Sequence, residues 1–121
     1  MPEQNHLIVQ KMQDITLIEL MDKKILDESC IGPLTDELTK LVEQDKFPRM
    51  VLDFVNVAHM SSSALSMLIS LHKRVREKKG GLRLCNITPT IFEVFKITRL
   101  SEVFGISHSR EDAIKDVLKG R

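Results

Sequence analysis

The stretch Met50-Val51-Leu52-Asp53-Phe54-Val55-Asn56-Val57-Ala58-His59-Met60-Ser61-Ser62-Ser63-Ala64-Leu65 decides the fold. Its first six residues are almost all apolar, with β-branched and aromatic members, and read as a strand buried on both faces. A short loop, Asn56–Met60, follows. The three serines then stand at the head of a long helical pattern that ends at Gly80-Gly81. A buried strand that runs through a short loop into a helix is half of a parallel βαβ unit.

The flanking sequence repeats the alternation. Two β-like runs, His6–Met12 and Ile15–Met21, lie on either side of Gln13-Asp14, which suggests a hairpin; Ile15 and Leu17 fit a half-buried strand. Ile31–Gln44 places Ile31, Leu34, Leu38, Leu41 and Val42 at helical spacing, with Pro33 suited to a first helical turn. Leu82–Ile87 reads as another core strand. Thr88-Pro89 opens a short helix to about Ile97, Val103–Ile106 suggests a last short strand, and Ser109-Arg110-Glu111-Asp112 starts a helix that Lys119-Gly120 stops. The predicted order is β-β-α-β-α-β-α-β-α. It describes one α/β domain over residues 1–121, core about 6–118, with a mixed, mostly parallel sheet, an N-terminal β-hairpin and about four helices. In such sheets the functional crevice lies past the carboxyl ends of the strands, where the serines stand.

The helix Ser62–Lys79 divides cleanly on a wheel. Ala64, Leu65, Leu68, Leu71, His72 and Val75 share an arc of about 120° that faces the core. Ser62, Ser66, Lys73 and Glu77 fall opposite, with Ser70 nearby and with Ile69 and Arg76 on the flank. Ile69 is either an ordinary exposed aliphatic or an anchor for a partner beside Ser62. One serine is explained as a helix N-cap. A phosphate on another would be tolerated by the free N–H groups of the helix start, while giving the surface about −1.5 to −2 units of new charge.

Composition narrows the remaining classes. Hydrophobic residues are 42% and charged residues 29%, the balance of a folded globular chain. A net charge of +1 and only five aromatic residues, all Phe, give little to attract or stack nucleic acid. The cluster Lys73-Arg74, Arg76, Lys78-Lys79 reads as a solvated helix end. Cys30 and Cys85 sit in apolar stretches and read as free thiols; no spacing suggests a metal or another cofactor. The N-terminus does not have the pattern of a signal peptide, and no apolar run approaches the ~20 residues that cross a bilayer, so a cytoplasmic protein with no membrane partner is expected. A hydrolase drawn from Ser62, His59 and Asp53 or Asp27 would need a nucleophile elbow and oxyanion glycines that this sequence does not have. His72, on the apolar face, reads as a satisfied core residue.

With those residues in view, Val51–Leu65 resembles the signature of the STAS domain family, anti-sigma-factor-antagonist type. There a hydrophobic strand leads into a stretch like MDSSGL, matched here by Met60, Ser62, Ser63 and Leu65. Ile25-Leu26-Asp27 resembles the family's short "ELD" element, Gly81–Asn86 its fourth strand and Phe95–Leu100 its F-x-x-x-x-L stretch. The resemblance implies a binding module, not an enzyme. It would engage an anti-sigma factor that is also a serine kinase and so free a sigma factor; phosphorylation by that kinase breaks the complex and a serine phosphatase restores it. It implies Ser62 as the phosphosite, with Ser61 and Ser63 as alternatives, and sets the Asp27 loop beside it; the wheel then adds Ser66, Ile69 and Lys73 on the same outward strip, giving a partner surface of Asp27, Ser62, Ser66, Ile69 and Lys73. Two departures stand out: Ser61 replaces the acidic residue before the phosphoserine, and Ala64 replaces the following glycine. The alternative is a STAS scaffold that does not switch, a subunit of a larger signalling or transport-associated assembly.

Overall fold

The structure is a computed structural model that describes residues 7–12 and 14–119. Three predicted features, the first strand's start at His6, Gln13 in the turn and Gly120 in the last stop, lie outside the described residues. The elements are β1 (Leu7–Met12), β2 (Ile15–Leu20), β3 (Lys24–Ile25), α1 (Glu28–Gln44), β4 (Arg49–Asp53), β5 (His59–Met60), α2 (Ser62–Glu77), β6 (Gly81–Cys85), α3 (Pro89–Ile97), a 3-10 turn (Leu100–Glu102), β7 (Gly105–Ser107) and α4 (Arg110–Leu118). One sheet runs β1-β2-β4-β6-β7, antiparallel at β1–β2 and parallel elsewhere. The hairpin therefore contributes the single antiparallel pair, as expected of a sheet otherwise built from crossovers.

Both faces of the sheet are covered. Side chains along β2 do not alternate between core and solvent: Ile15, Leu17, Ile18 and Leu20 are all buried, so β2 is a fully buried strand rather than the half-buried one expected. One face meets α1, α2 and α3 in a large core that includes Ile18, Leu34, Leu38, Met50, Leu52, Leu68 and Phe95. The other is closed by α4, whose Ala113 and Val117 meet Ile15, Leu17, Val51 and Cys85. Both cysteines are free. Among the described residues, no helix is long and apolar enough to cross a membrane.

Several boundaries differ from the sequence reading. The first helix starts at Glu28, not Ile31, so Pro33 lies inside it rather than in its first turn. Asp27 takes the N-cap position, and its carbonyl receives the N–H groups of Cys30 and Ile31. The strand expected to reach Val55 ends at Asp53, and Val55 is exposed. The last strand begins at Gly105 because the chain first turns through Leu100–Glu102, burying Leu100 and Phe104. α2 ends at Glu77, and the left-handed residue that reverses the chain is Lys79 (φ 59°). Gly80 is needed for another reason: a Cβ there would lie 2.0 Å from the Pro48 carbonyl oxygen. That oxygen accepts the Gly81 N–H at 2.8 Å, at the point where β6 enters the sheet.

Candidate functional site: the serine turn and its rim

The sequence reading did not contain the pair β3–β5. These two-residue strands run parallel, with Lys24 opposite His59 and Ile25 opposite Met60. The Lys23 carbonyl accepts from Ala58 N (2.8 Å) and His59 N (3.1 Å), and the Ile25 carbonyl accepts from Ser61 N (3.0 Å). Asp27 and Ser62 each follow two residues after this bridge. Asp27 holds the N-cap position of α1 without a side-chain capping bond and Ser61 caps α2, so two helix starts stand side by side on the carboxyl-end rim of the sheet.

The three serines are not equivalent. Ser61 is half-buried; its hydroxyl oxygen accepts the Ala64 N–H at 3.2 Å, and its carbonyl accepts the Leu65 N–H at 3.1 Å. It performs the N-cap work that an aspartate performs equally well. Ser62 and Ser63 are exposed in the first turn. Their placement beside unpaired helix-start N–H groups suits added negative charge. Ala64 is buried within regular helix, so the position needs no permissive backbone. Asp27 is exposed, with its carboxylate accepting from the Ser29 hydroxyl at 2.6 Å. Ser66 and Lys73 are exposed on the outward strip of α2. Ile69 is not a free aliphatic: it is half-buried and packs on the core. Met67, which the wheel left off the core face, is buried.

Beneath the rim lies a polar network not assembled from the sequence. Asp53, only 1% exposed, accepts at Oδ2 from Arg110 Nε (3.0 Å) and Nη2 (2.8 Å), and at Oδ1 from Val55 N and Asn86 Nδ2 (both 2.9 Å). Arg110 also reaches Glu19 Oε1 (3.3 Å), whose Oε2 accepts from Asn56 Nδ2 (2.8 Å). The hydrogen bonds to Asp53 raise the Arg110 pKa above its ordinary value, against the opposing effect of burial. The network fixes the ends of β2, β4 and β6 and the start of the loop that leads to the serines. The signal in the sequence was Asp53 itself, a carboxylate closing an apolar strand. Beside it, Met21, Leu26 and Val55 are apolar and exposed on the same end of the molecule.

Both thiols are held in their protonated form. Burial, then the hydrogen bond to Asp22 (3.3 Å), pushes Cys30 up to about 11; burial pushes Cys85 up to about 12. Among the described residues no hydrogen bond joins Ser62, His59 and an aspartate. His59 is exposed, and Asp53 is committed to Arg110 and Asn86.

A STAS domain profile matches residues 8–113, from the first strand into α4. The chain belongs to the STAS domain family. Several of the proteins it is similar to are named as anti-sigma factor antagonists. BtrV of Bordetella bronchiseptica, whose name assigns it provisionally to that class, is 35% identical over 65 residues, 54% of this chain and 56% of the relative; the match thus spans about half of that protein's length. The anti-sigma-B factor antagonist of Bacillus subtilis is 29% identical over 82 residues, covering 68% of this chain and 73% of the relative. An anti-sigma-factor antagonist (STAS) domain protein from Planctomyces limnophilus has the same fold, with a TM-score of 0.85 over 93% of this STAS domain and 97% of that chain, at 19% identity.

Proposed function

We propose that this STAS domain is a phospho-regulated partner-switching module of the cytoplasm. Its unmodified form binds an anti-sigma factor with serine kinase activity and so frees a sigma factor. Phosphorylation of Ser62 by that kinase ends the complex, and a serine phosphatase restores it. The domain works by binding and not by turnover, with no cofactor, nucleic acid or membrane as its direct target. The observation that carries this reading is the β3–β5 bridge, which sets the Asp27 loop beside the serine turn. The partner surface then runs from Asp27 across Ser62 and Ser66 to Lys73, with Ile69 contributing only its outer edge.

Ser62 is the preferred site over Ser61 and Ser63 on physical grounds. The Ser61 hydroxyl is engaged in capping, and Ser62 is the residue that aligns with the first serine of the family motif. A phosphate on Ser62 is compatible with the helix start, so the fold persists. The partner meets a dianion in a surface it had to desolvate, which costs about 3 kcal/mol, roughly 100-fold in affinity.

The test is titration calorimetry against the cognate anti-sigma kinase from the native host, with phosphopeptide mass spectrometry of the mixture. Ser62→Ala should bind as tightly as the unmodified chain and take up no phosphate; Ser62→Asp should bind about 100-fold more weakly at an unchanged melting temperature. Lys73→Glu, on the exposed strip, should weaken binding without blocking modification. Equal affinities for all forms, or phosphate found on Ser63 alone, overturn the assignment.

A further inference from the structure

At the opposite end of α2 the chain builds a second, unassigned site. A cleft of about 410 Å³ opens between the last turn of α2, the start of β6 and the segment that enters β7. His72, Arg76, Lys79 and Arg83 line it together with Val103 and Gly105, and no acidic side chain is among its lining residues. We propose that this cleft binds a small phosphate-class oxyanion, either free or as the phosphate of a small organic molecule.

Of the cations here, Arg83 is paired with Asp116 at 3.2 Å, and the charge of Arg76 and Lys79 is left without an internal counterpart among the described residues. The neighbouring cations are used elsewhere: Arg74 pairs with Glu43 at 2.6 Å, and Lys78 Nζ donates to the carbonyls of Val42 and Glu43. Arg76 and Lys79, both exposed, have no side-chain partner among the described residues. The helix dipole favours cations at this end, but the carbonyls of Arg74, Val75 and Arg76 are already served by backbone donors, from Lys78, Lys79 and Gly80. Arg83 spends Nη2 on Ser107 and Asp116 while its buried Nε has no partner, and His72 Nδ1 is likewise buried and unpaired. The sequence reading of His72 as a satisfied residue is thus corrected: its ring packs edge-on against Phe104, but its nitrogen is not satisfied. Gly105 lets the Arg83 guanidinium lie across β7, since a Cβ there would fall 2.3 Å from Nη1.

Lys79 adds a second, independent argument. It holds φ at 59°, a conformation that costs a non-glycine residue about 1 kcal/mol and that glycine adopts freely. Lysine here is exposed on the lining of the cleft, where glycine would serve the turn alone. Two exposed cations, with a guanidinium behind them, suit a tetrahedral oxyanion, and the volume leaves room for a small organic group. The serine turn is about 20 Å away along α2, so this site stands or falls independently of the switch.

The experiment is an NMR amide titration of the whole chain with sodium phosphate and with pyrophosphate, at ionic strength held constant with sodium chloride. Saturable shifts confined to residues 72–83 and 103–105 are expected, and Arg76→Ala should weaken binding at least fivefold. Lys79→Gly separates structure from ligand: it should leave the melting temperature equal or higher while weakening binding at least fivefold. Non-saturating shifts, shifts centred on the serine turn, unchanged affinity in both variants, or retention on phosphatidic-acid vesicles with no response to the soluble anions would each overturn the proposal.

Discussion

Asp53→Ala removes the carboxylate beneath the serine turn, and its cost follows from what that carboxylate does. Four donors lose their acceptor: the Val55 N–H, the Asn86 amide and two N–H groups of Arg110. Breaking a fully buried ion pair costs about 3–5 kcal/mol because the surviving charge is stranded. Here the stranded partner is better placed. The Arg110 side chain is 35% exposed and keeps Glu19 at 3.3 Å, so part of its hydration is recovered. The Val55 and Asn86 donors lie in part-buried positions and lose about 1 kcal/mol each. The sum is about 2–4 kcal/mol. With an m-value of about 1.5 kcal/mol per molar, the urea midpoint falls by roughly 1.3–2.7 M. A double-mutant cycle with Arg110→Ala should return a coupling of about 1–3 kcal/mol. A cost under about 0.5 kcal/mol, or a coupling indistinguishable from zero, refutes the view that this pair ties α4 to the strand ends.

Three further outcomes are accessible to denaturation measurements. Leu68→Ala, at a site with 0% exposure between α2 and the sheet, should cost about 2–5 kcal/mol; a cost near zero would mean that the helix faces the other way. Gly80→Ala should destabilise by about 3 kcal/mol, because the new Cβ displaces the Pro48 carbonyl that receives Gly81. A glycine of ordinary φ with open space at its Cα would instead gain stability on this change, so the sign decides. His72 is held below its usual pKa of 6.5 by burial and then by Arg76. Its neutral form is favoured in the folded state, so its contribution is present above pH 6.5 and is lost as pH falls below it. Urea unfolding at pH 7.5 and pH 5 should therefore show a steeper acid loss in the natural chain than in His72→Leu; equal slopes would remove His72 from the account.

Much of the architecture could be read from local chemistry. Met50–Leu52 and Leu82–Cys85 are runs that only a strand covered on both faces can bury, and Thr88 and Ser109 cap the helices they were expected to cap, accepting from Ile91 and Asp112. What escaped was made by distant partners. Lys24–Ile25 and His59–Met60 are too short to carry a period and are strands only because each finds the other. The first turn of α1 was hidden by its polar residues and by Gly32-Pro33, which imitate a helix start three residues too late. The rim network joins Arg110 to residues 57 and 91 positions earlier, a separation at which no local pattern operates. The serine turn was legible as a motif, but the division of labour between Ser61 and Ser62 needed the cap geometry.

The position of Arg110 also bears on the order in which the molecule is made. A ribosome delivers the strands that carry Glu19 and Asp53 well before the guanidinium that answers them, and before Ala113 and Val117 that roof the second core. Until α4 emerges, the nascent sheet has one finished face and one bare face, with a carboxylate looking for its cation. Vectorial synthesis thus leaves α4, Arg110–Leu118, to close the second face of the sheet. A premature stop just before Arg110 would spare every residue of the serine turn, yet leave Ile15, Leu17, Val51 and Cys85 without their cover.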